Sequence, residues 1–104
     1  MLTPLNTVVY AGVSITLSCR RQSPHISWSL SSATTGSSVL IASDCQVLPA
    51  LSEIYSTDNI HEACHLVIKT VTLGLAGRYS CQDMMSAEPV ATAELITLGN
   101  DSTL

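Results

Sequence analysis

The stretch Leu75-Ala76-Gly77-Arg78-Tyr79-Ser80-Cys81 is the most informative part of this 104-residue sequence. Tyr79 and Cys81 alternate with Arg78 and Ser80, and alternation with a period of two is typical of a half-buried β-strand. Leu73-Gly74, just before the stretch, is a turn signal. The stretch therefore predicts a strand over residues 78–82 with Tyr79 and Cys81 on one face.

The same alternation recurs along the chain, where short apolar runs are separated by Ser, Thr, Gly, Pro and Asn. This pattern is typical of an all-β sandwich or barrel, and it contains little helical periodicity. It predicts seven or eight strands, over residues 7–10, 13–19, 26–30, 39–42, 52–57, 64–69, 78–82 and 93–97. The run 52–57 is the weakest and is expected at a sheet edge. Cys19, Trp28 and Cys81 are expected to face the interior.

Composition excludes several classes of protein. With 46% hydrophobic and 12% charged residues, the chain has enough apolar material for a core and is unlike a disordered segment. A net charge of −4, with Arg20-Arg21 as the single adjacent basic pair, argues against nucleic-acid binding. No apolar run approaches the roughly 20 residues of a membrane helix. Four cysteines in a small chain favour disulfides and an oxidising compartment.

Cys19, Trp28, Tyr79 and Cys81, placed on this β pattern, resemble the core constellation of the immunoglobulin superfamily. The resemblance covers residues 7–98 and implies an immunoglobulin-like two-sheet antiparallel Greek-key sandwich of variable-like or intermediate type. It implies a Cys19–Cys81 disulfide between the sheets, with Trp28 packed on it and the Tyr79 hydroxyl bonded to the backbone. The expected core residues are Trp28, Tyr79, Leu17, Leu66 and Ile68.

The chain departs from the family pattern in three places. Leu75 stands where Asp-x-Gly-x-Tyr-x-Cys has its Asp, and no Arg that would pair with such an Asp occurs between Ser43 and Thr72. Trp28 is followed by Ser29-Leu30-Ser31 without the antibody-like aromatic and Gln, and no Phe-Gly-x-Gly segment precedes the last strand. The chain is therefore unlike an antibody or T-cell receptor variable domain.

Cys45 and Cys64 remain once the resemblance assigns the first pair. A Cys45–Cys64 disulfide would span 64 − 45 = 19 residues and is the expected arrangement. Two buried free thiols, or one thiol that bonds to another molecule, are the alternatives.

His61-Glu62-Ala63-Cys64-His65 matches the zinc-protease pattern H-E-x-x-H, which requires a helix to place both histidines on one metal. The residues that follow alternate as a strand, where four residues span about 13 Å. We therefore expect no metal site here. No Gly-x-Ser-x-Gly elbow or Gly-rich phosphate loop occurs, so the sequence predicts neither catalysis nor a cofactor.

Loops 21–26, 42–49 and 82–89 are expected to cluster at one end of the sandwich, as in variable-like members. His25, Met84 and Met85 are candidate binding residues on them, since methionine is an adaptable contact residue. The alternatives are an exposed loop histidine and a methionine folded over the core. On the sheet built from strands 26–30, 39–42, 78–82 and 93–97, the candidate outward apolar residues are Val39, Ile41 and Ile96; scattered exposed aliphatics are the alternative.

The resemblance implies an extracellular recognition module of an immune-type or adhesion receptor, or a secreted relative. It would bind a protein partner or itself through the loops and that sheet, with any membrane anchor outside this chain. The alternative is a structural spacer domain. Residues 1–98 are expected to form one domain, and 99–104 a linker or stalk. Asn100-Asp101-Ser102 is a glycosylation sequon, with Asn100 as the candidate site.

Overall fold

The computed structural model describes residues 7–19, 25–60, 63–85 and 91–99. Within these ranges the chain forms short strands joined by turns, and no helix there has the length and hydropathy needed to cross a membrane. The strands are β1 (Thr7–Tyr10), β2 (Ile15–Leu17), β3 (Ile26–Ser32), β4 (Ser38–Ser43), β5 (Gln46–Val47), β6 (Tyr55–Ile60), β7 (Ala63–Ile68), β8 (Gly77–Asp83) and β9 (Ala91–Leu98). Two single-turn 3₁₀ helices span Pro49–Leu51 and Leu73–Leu75.

The strands form two sheets, which confirms the predicted all-β architecture. The larger sheet has the order β1-β9-β8-β3-β4-β5, and the smaller has the order β2-β7-β6. Every pair is antiparallel except β1 with β9, which is parallel. The arrangement is consistent with a β-sandwich, because one cluster of buried side chains draws on both sheets.

The chain changes sheets between β1 and β2. The Ala11 N–H donates to the Leu98 carbonyl of the larger sheet (2.9 Å), and the Gly12 N–H donates to the Val71 carbonyl beside the smaller sheet (2.7 Å). Gly12 has a φ of 100°, which residues with a Cβ rarely adopt. This glycine therefore allows a sharp crossover, after which the chain enters β2 next to β7.

Gly77 opens β8 at a close approach of two backbone segments. Its φ is 149°, and a Cβ at this position would overlap the Ser31 carbonyl oxygen and lie 2.9 Å from the Ala33 nitrogen. A larger residue therefore does not fit between β8 and the end of β3.

The core lies between the sheets and contains all five residues expected there: Trp28, Tyr79, Leu17, Leu66 and Ile68. The chain has no phenylalanine, and aliphatic side chains such as Ile26, Ile41 and Val71 fill the space around Trp28. The Trp28 indole N–H donates to the Cys64 carbonyl of β7 (3.3 Å). Because an unpaired buried N–H is costly, this bond both satisfies the indole and links the two sheets.

All four cysteines are paired, as predicted. Cys19, just after β2, bonds to Cys81 on β8, with 6.3 Å between their Cα atoms. Cys45, in the turn after β4, bonds to Cys64 on β7, with 5.8 Å between Cα atoms. Each disulfide joins one sheet to the other, and no free thiol remains. The two alternatives for Cys45 and Cys64 are therefore wrong.

Tyr55 of β6 and Tyr79 of β8 form a second polar link across the core. The Tyr79 hydroxyl donates to the Leu75 carbonyl (2.8 Å), and the two phenol oxygens lie 3.0 Å apart. Since a phenol has one proton to donate and Tyr79 gives its own to Leu75, Tyr55 donates to Tyr79. The rings meet edge to face at 6.3 Å between centroids. Burial raises the pKa of both hydroxyls above the ordinary value of 10.0.

These raised pKa values predict a loss of stability at alkaline pH. Above pH 10.0 the unfolded chain releases phenol protons that the folded chain retains, so the stabilisation is complete below that pH and falls as the pH rises. We expect the free energy of unfolding to decrease by up to about 1.4 kcal/mol per pH unit for each buried tyrosine. Urea unfolding between pH 8 and 11 measures the slope. Tyr79→Phe should make the slope shallower, with Tyr10→Phe as the exposed control; equal slopes for wild type and Tyr79→Phe would contradict the prediction.

A β-bulge between β3 and β4 changes which side chains of β4 are buried. Trp28 is opposite Ala42, whereas the next residue, Ser29, is opposite Leu40, so Ile41 is the extra residue. Ile41 is 0% exposed and packs in the core beside Ala42. The expectation that Ile41 faces outward is therefore wrong. Val39 and Ile41 share one side of β4, as alternation requires, but that side carries the core, and the extra residue places Ala42 on it as well.

Candidate binding surfaces

Three connections meet at one end of the sandwich and bring His25 close to Asp44 and Met84. The Met84 N–H donates to the His25 carbonyl (3.0 Å), and the Cys45 N–H donates to the Ile26 carbonyl (2.9 Å). His25 Nδ1 lies 3.2 Å from Asp44 Oδ1. We call His25, Asp44, Met84 and Met85 the loop end. Two predicted site residues, His25 and Met84, thus come together, while residues 21–24 and 86–89 of the expected loops lie outside the described residues.

The turn that carries Asp44 is held rigidly. Asp44 and Cys45 have φ values of 52° and 57° and form a two-residue turn between the paired residues Ser43 and Gln46. Positive φ at both central positions is the type I′ hairpin geometry. The Cys45–Cys64 disulfide and a bond from the Thr57 hydroxyl to the Cys45 carbonyl (2.7 Å) fix this turn to the smaller sheet. The Asp44 carboxylate is therefore presented to His25 by a constrained backbone.

Both loop methionines are accessible. Met84 is 58% exposed and Met85 74% exposed, so neither covers the core. The Ser27 hydroxyl donates to the Met84 sulfur (3.2 Å), and the Asp83 carboxylate accepts from the Met85 N–H (3.0 Å). The loop end therefore presents flexible apolar side chains on an anchored backbone, which suits an adaptable contact surface.

The outer face of the larger sheet is smooth and nearly free of charge. Most registered positions on β3, β8 and β9 carry small hydroxyl side chains, namely Ser27, Ser29, Ser31, Ser80 and Thr92, and Gln82, opposite Ser27, is a longer uncharged one. On this face, the registered positions of the three strands carry two charged side chains, Arg78 and Glu94. Arg78 Nη2 lies 3.0 Å from Glu94 Oε1. We call this surface the outer face. Its short side chains allow another protein to approach the sheet closely.

An apolar patch borders the outer face along β1 and β9. Val8 lies opposite Ile96, and Tyr10 lies opposite Leu98. Val8 is 58% exposed and Ile96 is 48% exposed. Tyr10 is 57% exposed and Leu98 is 41% exposed. We call these four residues the β1–β9 patch. The sequence predicts that Ile96 faces outward, but it does not identify Val8, Tyr10 or Leu98. Residues 7–10 are predicted to form a strand, and only the pairing of this strand with β9 shows which of its sides is outward.

The structure does not bring Val39 and Ile96 together. β3 and β8 separate their strands, which at about 4.8 Å per strand places them roughly 14 Å apart across the sheet. Val39 is exposed but lies opposite Leu30, on the side of the sheet that carries the core. Leu40, opposite Ser29, is the exposed apolar residue of β4 on the outer face, and the sequence does not identify it, because only the pairing with β3 shows which side of β4 is outward.

The H-E-x-x-H match lies partly outside the described residues, which exclude His61 and Glu62. His65 lies on β7 opposite Asp58, so this part of the match is a strand, as predicted, and not the helix that a zinc protease requires. In the described ranges, no three His, Cys, Asp or Glu side chains lie close enough to hold a metal ion. Asn100 also lies outside the described residues.

No protein-family model matches the chain, and no curated protein matches it either.

Proposed function

We propose that this chain is an immunoglobulin-like recognition module of an extracellular protein, part of an immune-type or adhesion receptor or of a secreted relative. It binds a protein partner through the loop end and the outer face. It performs no catalysis and uses no cofactor.

The core geometry supports an immunoglobulin-like sandwich. The Cys19–Cys81 disulfide joins the two sheets, and Trp28 is buried in the same cluster. The Tyr79 hydroxyl, two residues before Cys81, donates to the Leu75 carbonyl four residues upstream. A tyrosine that bonds to the backbone in this way is characteristic of immunoglobulin-type domains.

Two disulfides in a small all-β chain support an extracellular location. Both stabilise a domain whose core has one tryptophan and no phenylalanine. Such bonds form and persist in oxidising compartments, which include the cell surface and the extracellular space.

The observation that carries the binding function is the pairing of an exposed apolar patch with a smooth, nearly uncharged sheet face. The largest exposed apolar patch of a protein, when it is rimmed by polar residues, is often an interaction site. The β1–β9 patch meets this description, because it adjoins the hydroxyl side chains and the Arg78–Glu94 pair of the outer face. The exposed methionines of the loop end add a second contact region.

Binding of the domain, displayed as a fluorescent tetramer, to cultured cells tests the proposal. We expect saturable binding that falls at least tenfold in Met84→Asp/Met85→Asp at the loop end or in Ser29→Arg on the outer face. Ile54→Asp, at an exposed apolar residue just before β6 of the smaller sheet, is the matched control and should bind like wild type. Non-saturable binding, or binding that no variant alters, would indicate a spacer domain instead.

A further inference from the structure

We infer that the β1–β9 patch is the contact surface for a second copy of this chain, arranged about a two-fold axis with Arg78 of each copy facing Glu94 of the other. This inference rests on the proposed function, since it names one partner for the same sheet face. It concerns the β1 and β9 edge of that face and does not involve the loop end.

The area of the patch sets the expected strength of association. Val8, Tyr10, Ile96 and Leu98 together expose on the order of 400 Å², about half of the roughly 800 Å² per partner that a standard interface buries. The neighbouring hydroxyl residues of the outer face, such as Ser80 and Thr92, have short side chains and can add to the contact. An interface that combines both regions predicts a weak, reversible dimer.

The charges next to the patch favour a second copy as the occupant. Glu94 is two residues from Ile96 on the same face of β9, about 7 Å along the strand, and Arg78 lies directly opposite Glu94 on β8. Both side chains are about half exposed. One cation and one anion side by side are self-complementary, because rotation by 180° places Arg78 of one copy over Glu94 of the other.

The same balance of charge disfavours a strongly charged partner. The whole chain has a net charge of −4, so two copies repel each other in most orientations. At the patch border, Arg78 and Glu94 cancel, and two copies meet there without net repulsion. Among the residues that the structure describes at this surface, a strongly acidic or basic protein would find no excess of the opposite charge.

Sedimentation equilibrium of the purified chain tests the inference. The concentrations run from about 5 μM to about 1 mM, the range in which weak complexes associate. Wild type should show a monomer–dimer equilibrium, and Ile96→Glu should weaken it at least tenfold. Ile54→Glu introduces the same charge at an exposed apolar residue just before β6 of the smaller sheet and should leave the equilibrium unchanged. A strict monomer up to the highest concentration, or a dimer that Ile96→Glu does not weaken, would overturn the inference.

A charge-exchange pair tests the two-fold arrangement. Arg78→Glu and Glu94→Arg should each weaken self-association at least tenfold, because like charges then face each other. An equimolar mixture of the two variants should form a heterodimer at least tenfold tighter than either homodimer. Circular dichroism checks that each variant is folded, as expected because an exposed ion pair contributes little to stability. A mixture that associates no better than its components would overturn this arrangement.

The tetramer-binding experiment separates this inference from the proposed function. A monomeric chain that still binds cells saturably, through a surface that Ile96→Glu leaves intact, would overturn the second-copy inference alone. A chain that neither dimerises nor binds cells would overturn both.

Discussion

Replacing Trp28 with alanine is expected to lower the free energy of unfolding by about 3–5 kcal/mol, the usual cost of removing a large buried aromatic side chain. Trp28 is fully buried and is the largest side chain in the core, where the chain has no phenylalanine that could close the void. The substitution also leaves the Cys64 carbonyl without its indole donor. Urea unfolding followed by far-UV circular dichroism measures the change, because Trp28 is the sole tryptophan and its fluorescence is lost in the variant.

Trp28→Phe separates the packing of the ring from the hydrogen bond. Phenylalanine keeps an aromatic ring against the core but has no N–H for Cys64, so the loss should be smaller than for alanine and include about 0.5–1.5 kcal/mol for the lost hydrogen bond. Val39→Ala, at a half-exposed apolar residue of β4, is the control for a general effect of truncation and should cost less than either. A Trp28→Ala variant within about 1 kcal/mol of wild type would show that the core does not depend on this side chain.

The sequence predicts the all-β architecture because alternation is strong where one face of a strand is buried. β7 is the clearest case: Cys64, Leu66 and Ile68 are buried and the residues between them are partly exposed. Eight runs were predicted, and each contains or overlaps a strand of the structure. β5 was missed, since two residues are too few to show a period. The weak run at 52–57 became a strand at Tyr55–Ile60, because the Pro49–Leu51 turn and its extension occupy the preceding residues.

The binding surfaces were harder to predict because they depend on pairing between distant strands. Alternation places Val39 and Ile41 on one face of β4, which is correct, but only the pairing with β3 shows that this face carries the core and that Leu40 lies on the outer face. The position of the extra residue is set by how β3 and β4 pair, which is not a property of either segment alone. The β1–β9 patch likewise depends on the parallel pairing of two strands from opposite ends of the chain.

The sequence predicts some residues of the loop end but not Asp44, and the difference has a physical explanation. His25 and Met84 were singled out for their place next to predicted strands, and antiparallel pairing of β3 with β8 does bring them together. Asp44 was not singled out, although it is the acidic partner of His25. Its signal in the sequence was weak, because Asp44-Cys45 lacks the glycine that usually marks a type I′ turn.

Removing the two disulfides separately is expected to give unequal losses of stability. The Cys19–Cys81 bond spans 62 residues, and the Cys45–Cys64 bond spans 19. Cross-links that close longer loops restrict the unfolded chain more, so loop-closure entropy predicts a loss of about 4 kcal/mol for Cys19→Ala/Cys81→Ala and about 3 kcal/mol for Cys45→Ala/Cys64→Ala. Paired substitutions are used because a single change would leave a reactive thiol.

Packing and backbone strain in the folded state should make the difference between the two stability losses larger. Cys19 and Cys81 are both fully buried in the core, so alanine at these positions also leaves a void. Cys45 is only partly buried and has a φ of 57°, a backbone conformation that is costly for a residue with a side chain. Loss of its cross-link lets this turn relax, which offsets part of the entropic cost. In urea at pH 7, followed by far-UV circular dichroism, Cys19→Ala/Cys81→Ala should therefore be the less stable variant. The reverse order would mean that the Asp44–Cys45 turn, and not the bond through the buried core, holds the two sheets together.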